Sequence, residues 1–157
     1  MIVRAADHSD IPAIVGLFLR LKRASDYVTI PHDVDRSKAT IRRCISSPQA
    51  YAKVAVSKTG EIVGCFLGVV DALWWSSRRY ASDIGFFSQI PGAGDALLDD
   101  FESWAWQQNG VVEVLVAQSS GVAVDQTDRW YQGKGYARVG GVFRKTRYEA
   151  LGQEKAA

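Results

Sequence analysis

The hydrophobic period of the chain changes across Gln89-Ile90-Pro91-Gly92-Ala93-Gly94, and this change narrows the possible folds more than any other feature. Upstream, Ala81 to Phe87 reads as a strand, while downstream Ala96, Leu97, Phe101, Trp104 and Ala105 recur at helical offsets. The proline cannot donate to a strand ladder, and two glycines permit a sharp entry into the helix. Asn109-Gly110 then stops the helix, and Val111 to Ala117 reads as a β-rich, buried strand. Strand, glycine loop, helix and strand in succession place the chain in the mixed α/β class.

The flanking sequence extends the pattern. Ile2 to Ala5 alternates as a short strand, and Asp7 to Asp10 supply caps ahead of Ile14, Leu17, Phe18 and Leu21 at helical spacing. Val34 to Ile45 predicts a second short helix, ending before Ser46-Ser47-Pro48. Tyr51 to Val56 and Ile62 to Val70, joined by Lys58-Thr59-Gly60-Glu61, predict an antiparallel hairpin. A polar turn at Ser76 to Arg79 leads into the strand at Ala81. After the glycine-loop unit, Asp125 to Tyr131 predicts a helix ended by Gly133 and Gly135, and Tyr136 to Tyr148 predicts one or two terminal strands. A chain of 157 residues fits one domain, which we assign to 1–150, with 151–157 as a frayed tail.

Composition removes several function classes. Nineteen Lys plus Arg face seventeen Asp plus Glu with no dense basic stripe, so charge implies no nucleic-acid partner, while a small anionic ligand is compatible. His8 and His32 are the two histidines, which leaves no convincing material for a metal cluster or a Ser-His or Cys-His nucleophile. Cys65 lies in an apolar, strand-like run and, like the distant Cys44, reads as a free thiol. No run approaches the roughly 20 apolar residues that span a bilayer, and a cytoplasmic location is expected.

The glycine loop has a chemistry of its own. Absent side chains let backbone N–H groups approach phosphate oxygens, and the dipole of the following helix favours negative charge. Two glycines before a helix also serve any tight turn, and this loop matches neither the nucleotide-triphosphatase phosphate loop nor G-x-G-x-x-G. A second motif, Trp130-Tyr131-Gln132-Gly133-Lys134-Gly135-Tyr136, follows after one helix and one strand. It resembles the aromatic-Tyr-x-x-x-Gly-aromatic segment of the GNAT superfamily of acyltransferases. The glycine loop likewise resembles that family's Gln/Arg-x-x-Gly-x-Gly/Ala signature, and Asp83-Ile84-Gly85-Phe86 stands where these enzymes have a splayed strand. The resemblance runs from about Val3 to Tyr148. Ala81 to Phe87 and Tyr136 to Lys145 are also similar to acetyltransferases of tailed bacteriophages and prophages.

The resemblance implies a GNAT fold: a mostly antiparallel twisted sheet, helices on both faces, and a cofactor cleft where two strands splay apart. It implies acetyl-CoA as acyl donor, with its pyrophosphate on Gln89, Gly92, Ala93 and Gly94 and its pantetheine arm on the backbone of Ile84, Gly85 and Phe86. Tyr131 matches the family's general acid, and a phenol with a pKa of about 10 holds its proton at neutral pH; packing in the core is the alternative. Asp26, Tyr27, Trp74 and Trp75 fall where acceptor pockets are walled, or are exposed loop and ordinary aromatic packing.

Departures from the pattern matter. The loop lacks Arg and Lys, so its grip would come from backbone and dipole, with Arg129 or Lys134 as distant help, and Asp95 adds a negative charge at the helix start. Val124 replaces the asparagine common early in the last helix, and Arg78 occupies the position of a glutamate base. Asp83 is then the nearest carboxylate for taking a proton from an amine, with a structural hydrogen bond or an acceptor-binding charge as equal alternatives. The expected activity is N-acetylation of a primary amine by direct attack, without a metal. A CoA-binding module that has lost catalysis, or an acyltransferase acting on a protein lysine or modified nucleotide, are the alternatives. A homodimer is compatible with all of them.

Overall fold

The computed structural model describes residues 1–147. In chain order they form β1 (Ile2–Ala5), α1 (Ile11–Ala24), α2 (Val34–Ser46), β2 (Ala50–Val56), β3 (Ile62–Ala72), β4 (Arg79–Ser88), α3 (Ala93–Trp106), β5 (Val111–Leu115) and α4 (Val124–Gly133). Internal packing divides the chain into two units: Met1–Leu19 with Asp33–Ala117, and Arg20–His32 with Gln118 onward.

The first unit is built on an open sheet in the order β1-β2-β3-β4-β5. The first three pairings are antiparallel, β2–β3 and β3–β4 through turns and β1–β2 across α1 and α2, and β4 with β5 is parallel because α3 provides the crossover. Alternation along β2 and β3 separates two apolar layers. Val54, Val56, Cys65 and Leu67 join Ile11, Ile14 and Leu17 of α1 and Ile41 and Cys44 of α2. Phe66 instead meets α3, its ring stacked on Phe101 at 4.1 Å, with Tyr51 edge-on to both. Helices therefore cover both faces of the sheet, as expected.

Close approach explains one glycine in this layer: a Cβ at Gly68 would stand 2.5 Å from the Phe101 ring. Tyr51, buried with its hydroxyl, donates to Asp100 Oδ1 at 2.8 Å, and Lys53 reaches the same oxygen at 2.6 Å. At the other end of the unit Arg4 grips Asp10 with two hydrogen bonds of 2.7 and 2.8 Å, while the Asp7 N–H donates to Asp10 at 2.9 Å. The Arg4 bonds hold the Asp10 carboxyl below its ordinary range despite burial. Asp7 and Asp10 also complete a reciprocal capping box ahead of α1.

In the second unit, the end of α1 turns at Ser25, whose hydroxyl donates to the Lys22 carbonyl at 2.8 Å, and the Asp26 N–H donates to the Ser120 carbonyl at 3.1 Å. Arg138 pairs with Asp128 of α4 at 3.2 Å.

Two expectations are corrected. β5 is not a buried strand, since Val112 and Glu113 are exposed and it has β4 as its one strand partner among the described residues. Residues 136–147 form no strand, although Tyr136, Val139, Val142 and Phe143 favour one; a two-stranded ribbon alone is marginal in water, and no ladder is available within their own unit among the described residues. Tyr148 and the tail 151–157 lie outside the described residues.

Phe101 is fully buried in the second layer. Phe101→Ala should therefore lower unfolding free energy by about 3–5 kcal/mol, read as a lower urea midpoint at unchanged slope.

Candidate functional site

The site starts from an interrupted ladder. β4 pairs with β3 along its whole length, from Ala72↔Arg79 to Gly64↔Ser88, but with β5 only from Arg79 to Ser82. Beyond Ser82↔Leu115 the two parallel strands part. The register on the β3 side slips at the same place: Leu67 opposes Gly85 and Gly68 opposes Asp83, leaving Ile84 as the extra residue of a bulge. Bulges bend a strand and increase its twist, which suits a strand that leaves its neighbour. From residue 83 to 88 one edge of β4 has no strand partner among the described residues, and alternate N–H and C=O groups point to that side.

Asp83 sits at the parting. Its Oδ1 accepts the Ala117 N–H at 2.8 Å, so a side chain takes over where main-chain pairing stops. Burial pushes the Asp83 carboxyl up, and the Ala117 hydrogen bond offsets only part of this.

The open edge of β4 runs into the glycine loop. Gln89 still donates its N–H to the Val63 carbonyl at 2.8 Å, and Ala93 turns inward, fully buried. Gly92 is the N-cap of α3 with φ 79°, a left-handed conformation that explains glycine here. No side chain caps the helix, and a Cβ placed on Gly92 would meet nothing within 4 Å. The first turn of α3 thus presents N–H groups and the positive dipole end beside open space, with Asp95 as the acidic residue of that turn. An anion carried on an extended amide chain fits this combination: strand-edge hydrogen bonds for the chain, helix N–H groups for the charge. Ile84, Gly85, Phe86, Gln89, Gly92, Ala93 and Gly94 are thus contiguous along one strand edge and its exit.

The remaining candidates are on other elements. Trp74 and Trp75 are in the β3–β4 turn, at the opposite end of β4 from Gln89, and are 93% and 68% exposed. That turn is closed by the Leu73 N–H to the Arg78 carbonyl at 3.0 Å, so Arg78 belongs to the turn and not to the splayed half of the strand. In the second unit, Tyr131 on α4 packs against Trp130 and Tyr136 with ring centroids 4.9 and 5.6 Å away. Asp26 lies against Gly121, where any Cβ would run into its carboxylate. The Tyr27 ring is already covered by the Arg144 guanidinium at 4.7 Å.

Sequence reasoning missed the loop that starts α4. Ala123, its N-cap, has φ 47°, a left-handed conformation rare outside glycine. It is held by Gln118 Nε2 to the Val122 carbonyl at 2.7 Å and by the Val122 N–H to Ser120 Oγ at 3.3 Å. Gly121 was the single local signal.

The two contributions at Asp83 can be separated. Because its folded carboxyl is raised, the folded state holds that proton more tightly than the unfolded chain does, so ionisation costs stability as pH rises above about 4. Asp83→Asn keeps an acceptor for Ala117 without the charge; its melting temperature should exceed wild type at pH 8 and converge on it near pH 4. Asp83→Leu should instead lose about 1 kcal/mol by orphaning the Ala117 N–H.

No protein-family model matches the sequence, and no curated protein matches it. Solved structures do. An aminoglycoside 6'-N-acetyltransferase, AAC(6')-Ih of Acinetobacter baumannii, superposes with TM-score 0.68 at 14% identity over 95% of this chain and 99% of its own. An acetyltransferase of Trypanosoma brucei gives 0.67 at 18% identity over 92% and 98%. The aminoglycoside acetyltransferase meta-AAC0020, from an uncultured soil metagenomic sample and solved with trehalose, gives 0.63 at 20% over 96% and 95%. The open, mostly antiparallel sheet with its splayed fourth strand is therefore the GNAT acetyltransferase fold.

Proposed function

We propose that this chain is an acetyl-CoA-dependent N-acetyltransferase, formed by a single domain over 1–150, that transfers an acetyl group to a primary amine. The observation that carries the reading is the continuity of the open β4 edge with the uncapped, unobstructed start of α3. Bound there, acetyl-CoA would supply an activated thioester carbonyl. The chain's own groups then have definite tasks. Backbone N–H and C=O groups at Ile84 and Phe86 hold the amide arm in line, Gly85 and the bulge set their direction, and Gln89 with Gly92, Ala93 and Gly94 receives the pyrophosphate.

In the transfer, the amine nitrogen forms a bond to the acetyl carbon, the carbon–sulfur bond breaks, and the sulfur leaves as thiolate. Tyr131 is assigned to give that sulfur its proton. The amine must shed a proton in turn. Asp83 is the carboxylate nearest the parting strands, and a raised pKa makes it a better base than an ordinary aspartate, although its Oδ1 is engaged by Ala117. Asp26 and Tyr27, with Trp74 and Trp75, are assigned to the acceptor. Two of the similar structures are named as aminoglycoside acetyltransferases, and aminoglycosides carry amines of the kind this proposal requires. The engagement of Asp83 favours a second reading, a CoA-binding module without turnover; an acceptor that is a protein lysine or modified nucleotide fits the same donor site. A phage or prophage origin and a cytoplasmic location belong to this proposal too.

Calorimetry should detect acetyl-CoA binding, with the melting temperature rising on ligand addition. Gly92→Val should weaken that binding in a folded protein, because a β-branched side chain opposes positive φ and obstructs the anion. No binding at millimolar acetyl-CoA would sink the proposal; binding without acceptor-dependent thiol release across amines, peptides and nucleic acid would favour the inactive module.

Tyr131→Phe should leave acetyl-CoA affinity intact while kcat falls by roughly 10²–10⁴-fold, towards the lower figure because a thiolate is a tolerable leaving group. Wild-type kcat in the folded variant would return Tyr131 to a packing role.

A further inference from the structure

α1 meets the splayed part of β4 through one ring. A Cβ built on Gly85 would stand 2.8 Å from Phe18 Cε1 and 2.9 Å from Phe18 Cζ, so the end of that ring rests on the strand backbone where any other residue would hold its side chain. Both residues belong to the first unit. Gly85 directly follows the bulge at Ile84 and lies in the stretch of β4 that has lost β5 as its neighbour. Phe18 is half-buried: it packs against the core that α1 and α2 make with the sheet, without being enclosed by it.

The two faces of β4 differ at this point. On the α3 face the ladder partners Phe66 and Phe86 have ring centroids 4.7 Å apart, and Phe66 is stacked on Phe101, so rings from three elements fill the space. On the α1 face Gly85 opposes Leu67 and brings no side chain, and the Phe18 ring takes its place. A group that lies along the open edge and widens sideways therefore meets packed core on one side and a single half-buried ring on the other. A protein interior yields little to an added methylene, so such a ring sets a limit on size.

We infer that Phe18 limits the length of the acyl group carried by the donor, its ring closing the α1 face of the opening at Gly85 so that acetyl is accepted and longer straight acyl chains are rejected. The inference rests on the donor reading proposed above, in which the arm runs from the glycine loop back along β4 and brings its acyl end to the parting of the strands. It adds the residue that selects the acyl group.

Calorimetry with CoA, acetyl-CoA and butyryl-CoA tests it, the readout being the ratio of the butyryl-CoA to the acetyl-CoA dissociation constant, in which a general change of donor affinity cancels. In the wild type that ratio should be at least about 10, the lower figure for a surplus methylene in a closed apolar site. Phe18→Ala should bring it towards one. Phe18→Leu keeps apolar volume in the core, folds where the alanine variant fails to, and should give an intermediate ratio. The contact itself is read without ligand: Gly85→Ala should lower the melting temperature of the wild type, and lower it less in the Phe18→Leu background, where the new methyl group has room. Butyryl-CoA bound as tightly as acetyl-CoA by the wild type overturns the inference and leaves the donor site standing, as does a ratio unchanged in a folded Phe18 variant. Equal losses from Gly85→Ala in both backgrounds overturn it by removing the contact. Failure of CoA itself to bind overturns the donor reading, and this inference with it.

Discussion

The parallel ladder between β4 and β5 stops at Ser82↔Leu115 while β4 itself continues to Ser88, and the chemistry available to the first unit depends on that stop. A strand in mid-sheet that loses one neighbour leaves main-chain donors and acceptors that must find partners in water, in side chains or in a ligand. Asp83 supplies one side-chain partner at the point of separation, to Ala117. The bulge at Ile84 lets β4 turn away from β5 without leaving β3, whose pairing persists to Gly64↔Ser88. What remains is a strand edge with one side open, ending in a turn that only a left-handed residue can make at Gly92.

Packing fixes where that edge leads. α3 is locked on the sheet by Phe101, which fills the space left by Gly68 and stacks on Phe66, and by Leu97, Leu98 and Ala105, all fully buried. The helix start therefore cannot drift from the end of β4. Ala93 turns into the core immediately after Gly92, which holds the first turn of N–H groups in a constant orientation. Preorganisation of this kind matters more for a loop lacking Lys and Arg, since no mobile cation can compensate for a poorly placed backbone.

The elements bounded by local rules were legible in sequence. The turn Lys58-Thr59-Gly60-Glu61 gave the β2–β3 hairpin, and the period change at Pro91 gave β4, α3 and β5 in order. Residues whose state depends on distant groups were not. Asp83 reads as a plausible base in sequence because nothing local announces the Ala117 N–H, which arrives from beyond β5. Gly121 reads as any loop glycine, although its lack of a Cβ is what admits the Asp26 carboxylate from far along the chain. Ala123 breaks the local rule outright, adopting a conformation that alanine disfavours because the hydrogen bonds among residues 118–122 over-determine it. The aromatic and β-branched residues of 136–147 are a β signal, but propensity specifies a strand only when a partner strand is at hand, and their own unit offers none among the described residues.

The proposed acetyl transfer would set demands on these same residues. Were Asp83 to take a proton from an amine, it would need a free oxygen, and since Oδ1 accepts the Ala117 N–H the proton would arrive at Oδ2 or through a water. The hydrogen bond and the desolvation act in opposite directions on the carboxyl, with desolvation the stronger. The rise makes the carboxylate a stronger proton acceptor than an ordinary aspartate, and its ionised form would attract a cationic amine. In the proposed transfer, the clasp at the parted strands and the group that takes the acceptor's proton would be one residue, which would tie the geometry of the opening to the protonation state of the acceptor.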